Sequence, residues 1–467
     1  MELIKSKKAS ENYLSKIVNI TSFRKHNDPE VTRLKCCTID GFNIITGIDA
    51  QPGLYVYFPA LSCINGDFLR FANLYRHKEL NNDPEQSGMF DDNGRVKAIK
   101  LRGELSEGFI LPIVILQNYV VSVTNHEINE IKEGIEFDAV SHGSKEFWIS
   151  KKYVAKRQIS QGGSTGRISK KVPKGLDKVI DTQFRFHYDT TLIKKCPYVI
   201  TPDAWIQLSY KIHGTSGISA YVLCKQELTW RQKIARWLTG EEFNKYDYLY
   251  ASRTVIKNRI YNPGVREGFY GVDVWAEADK IVRPCLTKGQ TAYYEIVGYL
   301  PNGGFIQKKY DYGCVPPNEG ETYTPEKHFK VRIYRVTYTN IDGKVFEYTP
   351  RQVQQWCAQV GLTPVEECYF GQAKDLYPDL DIANHWNENF LERLANDPKF
   401  YMEKDSPHCK NKVPHEGLVI KLEDGLSHAF KLKCFRFLNK EQELLDKGET
   451  NIEDEALKVI YCTFALY

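Results

Sequence analysis

The chain is predicted to be an α+β protein: a small β-barrel module in front, then a larger domain of antiparallel sheets with flanking helices. Three observations carry this. Over the first 150 residues, short strand patterns are broken by turn dipeptides. From about residue 185, alternating apolar runs recur. Between 349 and 410 the period changes from that of a strand to that of a helix.

The front module is read from "VTRLKCCTIDGFNIITGIDAQPGLYVYFP", where Asp40-Gly41 and Pro52-Gly53 punctuate strands. "RVKAIKLRG" and "GFILPIVIL" read as further strands, and such spacing suits a barrel or sandwich over residues 1–150. A basic linker, 151–184, follows. Its stretch 151–176 holds eight Lys/Arg and no acid around a Gly-Gly-Ser centre. "GGSTGRIS" lacks the glycine spacing and lysine of a phosphate loop. The second domain spans 185–437, with strands in "WIQLSYKI", "ISAYVLC", "TAYYEIVGYL", "KVRIYRVTYTN", "GLVIKL" and "HAFKLKCF". Its helical insert, about 349–410, opens on "TPRQVQQWCAQVG", with an N-cap Thr, Pro at the first helical position and a closing Gly. A helical tail, 438–467, completes the chain.

Composition narrows the function classes. With 467 residues, 42% of them hydrophobic, the chain can bury large cores, and a net charge of +4 allows only a local nucleic-acid patch. No apolar run reaches 18 residues and no signal peptide is evident. Twelve scattered cysteines without a CxxC favour neither zinc nor disulfides. A cytoplasmic, reduced, monomeric protein without membrane contact is expected.

The chemistry centres on "QLSYKIHGTSGISAYVL", where Lys211 ends one strand pattern and Gly214, Thr215 and Ser216 open another. A nucleophilic lysine must lose a proton from a group of pKa about 10.4, and reaching about 7.5 takes roughly 4 kcal/mol. Desolvation and nearby positive charge supply that. Alone, the segment equally describes a surface lysine before a turn. Further along come Arg253 after a strand, Glu295 inside an apolar strand, Tyr334 in "VRIYRVTY", Glu416 before "GLVIKL", and Lys431 and Lys433 two apart on one strand. Read singly, Glu295 is a salt-bridge partner, Tyr334 a core residue and the lysine pair a solvated face.

Taken in order, "KIHG", "YYEIVGY", "VRIYRVTY", "EGLVIKL" and "KLK" resemble motifs I, III, IIIa, IV and V of the covalent nucleotidyltransferases, the ATP-dependent ligases and GTP-dependent capping enzymes. The histidine at 213 and the Thr-Ser that follows are similar to RNA ligases. A β module placed before the nucleotidyl domain resembles the Deinococcus-type nick-sealing RNA ligases. The resemblance implies an OB-like nucleic-acid-binding module at 1–150 and an ATP-grasp-like adenylyltransferase domain at 185–437. It also implies ATP with Mg²⁺ or Mn²⁺, and a nicked RNA or RNA/DNA duplex as partner. Residue by residue it implies Lys211 as nucleophile, with Lys431 and Lys433 on the α-phosphate. Gly214, Thr215, Ser216, Arg253, Glu295 and Tyr334 would bind the nucleotide. Glu416, with Glu295, would hold the metal through water, and His213 would be structural. The alternatives are a DNA ligase, a capping-type enzyme, or a non-catalytic protein that binds nucleic-acid ends.

Overall fold

The computed structural model describes residues 1–7, 9–154, 176–240, 242–262, 272–426 and 429–447. Most of the basic stretch 151–176, and the tail beyond 447, lie outside the described residues. The chain forms two compact units, Met1–Lys156 with Thr191–Val199, and Arg157–Thr190 with Ile200–Tyr467.

In the first unit a four-stranded sheet runs in the order Gly108–Pro112, Gly53–Pro59, Ser15–Ile20, Glu136–Phe137. Alternation along its strands sends Ile17, Val56, Phe58 and Leu111 into one apolar cluster, and Val18, Ile20, Tyr55, Tyr57 and Ile110 into another. The sheet is therefore buried on both faces. Helices Gly66–Phe71 and Ile113–Thr124 join the first cluster, and the hairpin Leu34–Ile39/Phe42–Gly47 joins the second. Asp40 turns that hairpin at φ 51°.

Two expectations change here. No closed barrel is found among the described residues, so the OB-like module is not confirmed. A barrel needs one continuous staggered ladder, whereas these strands divide among separate sheets of two to four. "GFILPIVIL" is likewise not one strand, because Pro112 caps the helix Ile113–Thr124. Leu116, Tyr119 and Val120 supply its buried stripe.

Elements are numbered from here in the second unit. Strands β1 (Trp205–Tyr210), β2 (Thr215–Lys225), β3 (Asn244–Ser252), β4 (Gln290–Gly298), β5 (Phe329–Thr339), β6 (Val345–Glu347), β7 (Glu367–Gln372), β8 (Gly417–Leu422) and β9 (Ala429–Lys433) form two antiparallel sheets. One runs β9-β8-β1-β7 and the other β3-β2-β4-β5-β6. Helices α1 (Trp230–Thr239), α2 (Val274–Val282), α3 (Pro350–Val360), α4 (Trp386–Asn396) and α5 (Phe435–Asp446) flank them.

Helix α3 forms as its sequence dictates. Thr349 and Gln352 make a reciprocal capping box, Pro350 stands in the first turn, and Gly361 closes it at φ 74°. Its Val353, Trp356 and Cys357 pack with Val274, Trp275 and Ala278 of α2 and with Ala292, Tyr294 and Ile296 of β4. The opposite face of that sheet buries Ile218, Ala220, Leu249 and Tyr293. Segment 349–410 also yields β7, which pairs with β1 along Trp205–Ser209.

Candidate active site

Strand β1 lies between β7 and β8, and its ladder continues one residue past the strand, since Lys211 N–H donates to Gly417 O at 2.8 Å. Gly417 in turn stands opposite Lys433, and Val419 opposite Lys431. Register alone thus puts Lys211, the start of β8 and Lys433 in one row across three strands.

Lys211 Nζ lies 2.9 Å from Glu416 Oε1. Glu416 is only 5% exposed, and its Oε2 is buried without a hydrogen-bond partner, 3.5 Å from His213 Nδ1. Burial favours the neutral acid, but Lys211, His213 and Lys433 outweigh it and hold the carboxyl well below its usual range. Lys431 Nζ donates to Asp189 Oδ1 at 2.9 Å, and the same oxygen accepts from Arg253 Nη2 at 3.2 Å. Burial pushes Lys431 down to about 8; Asp189 opposes this, while Lys433 and Lys211 add to it. Lys433 Nζ pairs with Glu441 of α5 at 3.0 Å.

The link from Lys211 to Gly214 crosses from one sheet to the other. Gly214 N–H donates to Glu295 Oε1 at 2.9 Å, and a Cβ at this glycine would sit 2.4 Å from Ile296 O. Only glycine fits so close to β4. Thr215 and Ser216 are buried at the head of β2, and Ser216 pairs across the ladder with Glu295. Ser216 Oγ lies 2.9 Å from the Tyr334 hydroxyl, and Ser216 O accepts from Trp275 Nε1 at 2.9 Å.

Tyr334 meets His187 edge-on, with ring centres 5.1 Å apart, and Lys421 Nζ donates to its carbonyl. Burial, with Arg335, Arg253 and Lys421 nearby, keeps His187 neutral. Burial and Glu295 keep the Tyr334 hydroxyl protonated. His213 is clamped by Tyr312, whose hydroxyl accepts from its N–H at 2.9 Å and lies 2.8 Å from its carbonyl, and its ring lies between Tyr310 and Phe437.

No family model and no curated protein matches the chain. Solved structures do. Naegleria gruberi RNA ligase with pyrophosphate aligns at 15% identity and TM-score 0.50, covering 92% of this chain and 99% of that one. A variant of it with ATP and manganese aligns at 15% and 0.52, covering 92% and 99%. Another with AMP and manganese aligns at 14% and 0.50, covering 92% and 99%. The chain has an RNA ligase fold.

Within this ligase fold, Lys211 and Glu416 touch directly, with Lys433 in the same cross-strand row. Gly214 and Glu295 touch, as do Ser216 and Tyr334, while Arg253 and Lys431 are joined through Asp189. Sequence reasoning missed Asp189, His187 and Lys421. Asp189 had no signal, being one acid in "FRFHYDTT"; Lys421 had one, a lone charge inside "GLVIKL". The Glu416 carboxylate, ionised and with one buried oxygen unsatisfied, fits a divalent cation. No cluster of three or more His, Cys, Asp or Glu suited to a metal exists among the described residues. No helix among them is long and apolar enough to cross a membrane.

Proposed function

We propose that the chain is an ATP-dependent RNA ligase of the Deinococcus-type, nick-sealing kind, working through a covalent lysyl-AMP. The observation that carries this is the 2.9 Å contact of Lys211 with a buried, ionised carboxylate whose second oxygen faces His213 Nδ1 at 3.5 Å.

In this reading Lys211 Nζ, a cation in its pair with Glu416, loses a proton to solvent and then attacks the α-phosphorus of ATP. A P–N bond forms, the P–O bond to pyrophosphate breaks, and the Nζ proton leaves. Lys431 and Lys433 stabilise the charge gathering on the phosphoryl oxygens. Glu295 and Arg253 hold the ribose side, and Tyr334 offers its ring to adenine. A divalent cation held by Glu416 through water would supply positive charge beside the phosphates. AMP then passes to a 5′-phosphate, and a 3′-OH displaces it. Support comes from the ligase fold, from ATP, AMP and manganese in the Naegleria structures, and from the motif order. Incubation with labelled ATP or GTP and a denaturing gel tests the first step; label from GTP alone rejects the reading. A panel of nicks differing only in ribose or deoxyribose at the 3′-OH side tests the substrate.

Two predictions follow from the cation cluster. Asp189 joins Lys431 and Arg253, two cations that in this reading face the nucleotide. Asp189→Asn is therefore expected to lower KM for ATP by about three- to tenfold, removing a competing anion. An unchanged or higher KM contradicts this. Lys431, held near 8 against an ordinary 10.5, regains its proton when an anion arrives. ATP binding should thus take up a proton between pH 8 and 10.5, and affinity should fall as pH rises through that window. Titration calorimetry at pH 9 in buffers of different ionisation enthalpy reads the uptake directly.

A further inference from the structure

The connection between β2 and β3 carries α1, which is turned inside out relative to an ordinary surface helix. Such helices direct their apolar stripe at a core. Here no residue is buried: Trp230 is 67% exposed, Ile234 49%, Trp237 83% and Leu238 68%. The least exposed positions are Gln232 and Ala235.

At about 100° per residue the four apolar side chains form one continuous stripe roughly 100° wide. Arg231 and Lys233 border it on either side. The ten residues "WRQKIARWLT" hold three cations and no acid, and Arg236 reaches Glu242. Helices this short are marginal in water without help. A Thr229–Gln232 capping box and Gly240 at φ 73° supply that help at both ends.

We propose that α1 is a docking surface for an anionic lipid bilayer, lying in the interface plane with its apolar stripe among the headgroups. Charge complementarity selects this occupant: cations at the stripe edges reach acidic headgroups while two tryptophans and two aliphatic chains insert. Nucleic acid fits less well, because Ile234 and Leu238 make up one half of the stripe and give bases nothing to stack on. The eleven residues of β2, about 35 Å at strand rise, separate α1 from Gly214, which puts the docking surface at the far end of that strand from Lys211. This surface stands apart from the composition-level expectation of no membrane contact.

The test is co-sedimentation of the full chain with phosphatidylcholine vesicles, with and without 30% phosphatidylserine, a conventional mixture of about that fraction. Binding is expected only with the anionic lipid and should weaken with added salt. Trp230→Ser with Trp237→Ser should reduce it at least about tenfold, and Arg231→Gln with Lys233→Gln about three- to tenfold. All four positions are exposed, so melting temperature and lysyl-AMP formation should stay at wild-type levels; Leu238→Gln alone serves if the double variant fails to fold. No binding, or equal binding to neutral vesicles, overturns the proposal. So does self-association, or RNA binding, that the tryptophan variant removes while vesicle binding is absent.

Discussion

Lys211→Ala and Lys211→Arg are both expected to lower covalent labelling from ATP by more than about a thousandfold, to background on a denaturing gel. The alanine variant removes the proposed nucleophile and also the cation beside a 5%-exposed carboxylate, so it loses stability as well. Arginine keeps a cation opposite Glu416 but cannot shed its proton at neutral pH. Loss of label in both, with the arginine variant melting near wild type, separates chemistry from folding. Surviving label would place the nucleophile elsewhere. Pre-adenylylated nicks supply a second readout: sealing by either variant should persist better than labelling, because that step needs no lysyl-AMP.

Glu416→Gln should lower labelling by about a hundredfold or more, since it keeps the shape of the side chain and removes the charge. The variant also has a signature in pH. Glu416 titrates well below its ordinary 4.5 in the folded chain. Its ionised form therefore contributes stability that is complete above about 4.5 and is lost as pH falls below that value. Thermal melts from pH 6 to 3 should show a shallower acid decline in Glu416→Gln than in wild type. Equal slopes would mean that Lys211, His213 and Lys433 do not act on this carboxylate as their positions require.

Sequence legibility followed the range of the forces. Capping and turn chemistry are local, and so Thr349, Pro350, Gly361 and the Asp40 turn could be read from a few neighbours. The motifs were legible only through their order, because each short string taken singly has an ordinary structural reading. Asp189 was not legible, as its meaning comes from Lys431, 242 positions away.

By itself the sequence determined most of the strands, which face of each is apolar, and which side chains are candidates for chemistry. Tertiary structure alone decided partnership. The strands on either side of "KIHG" enter different sheets. A strand from the helical stretch pairs with the strand that leads into Lys211, and the first unit's central sheet is covered on both faces instead of closing. Alternation fixes a strand's faces, but its hydrogen-bonding edges are chemically alike. Only burial against distant segments selects among partners, and no short stretch of chain contains that information.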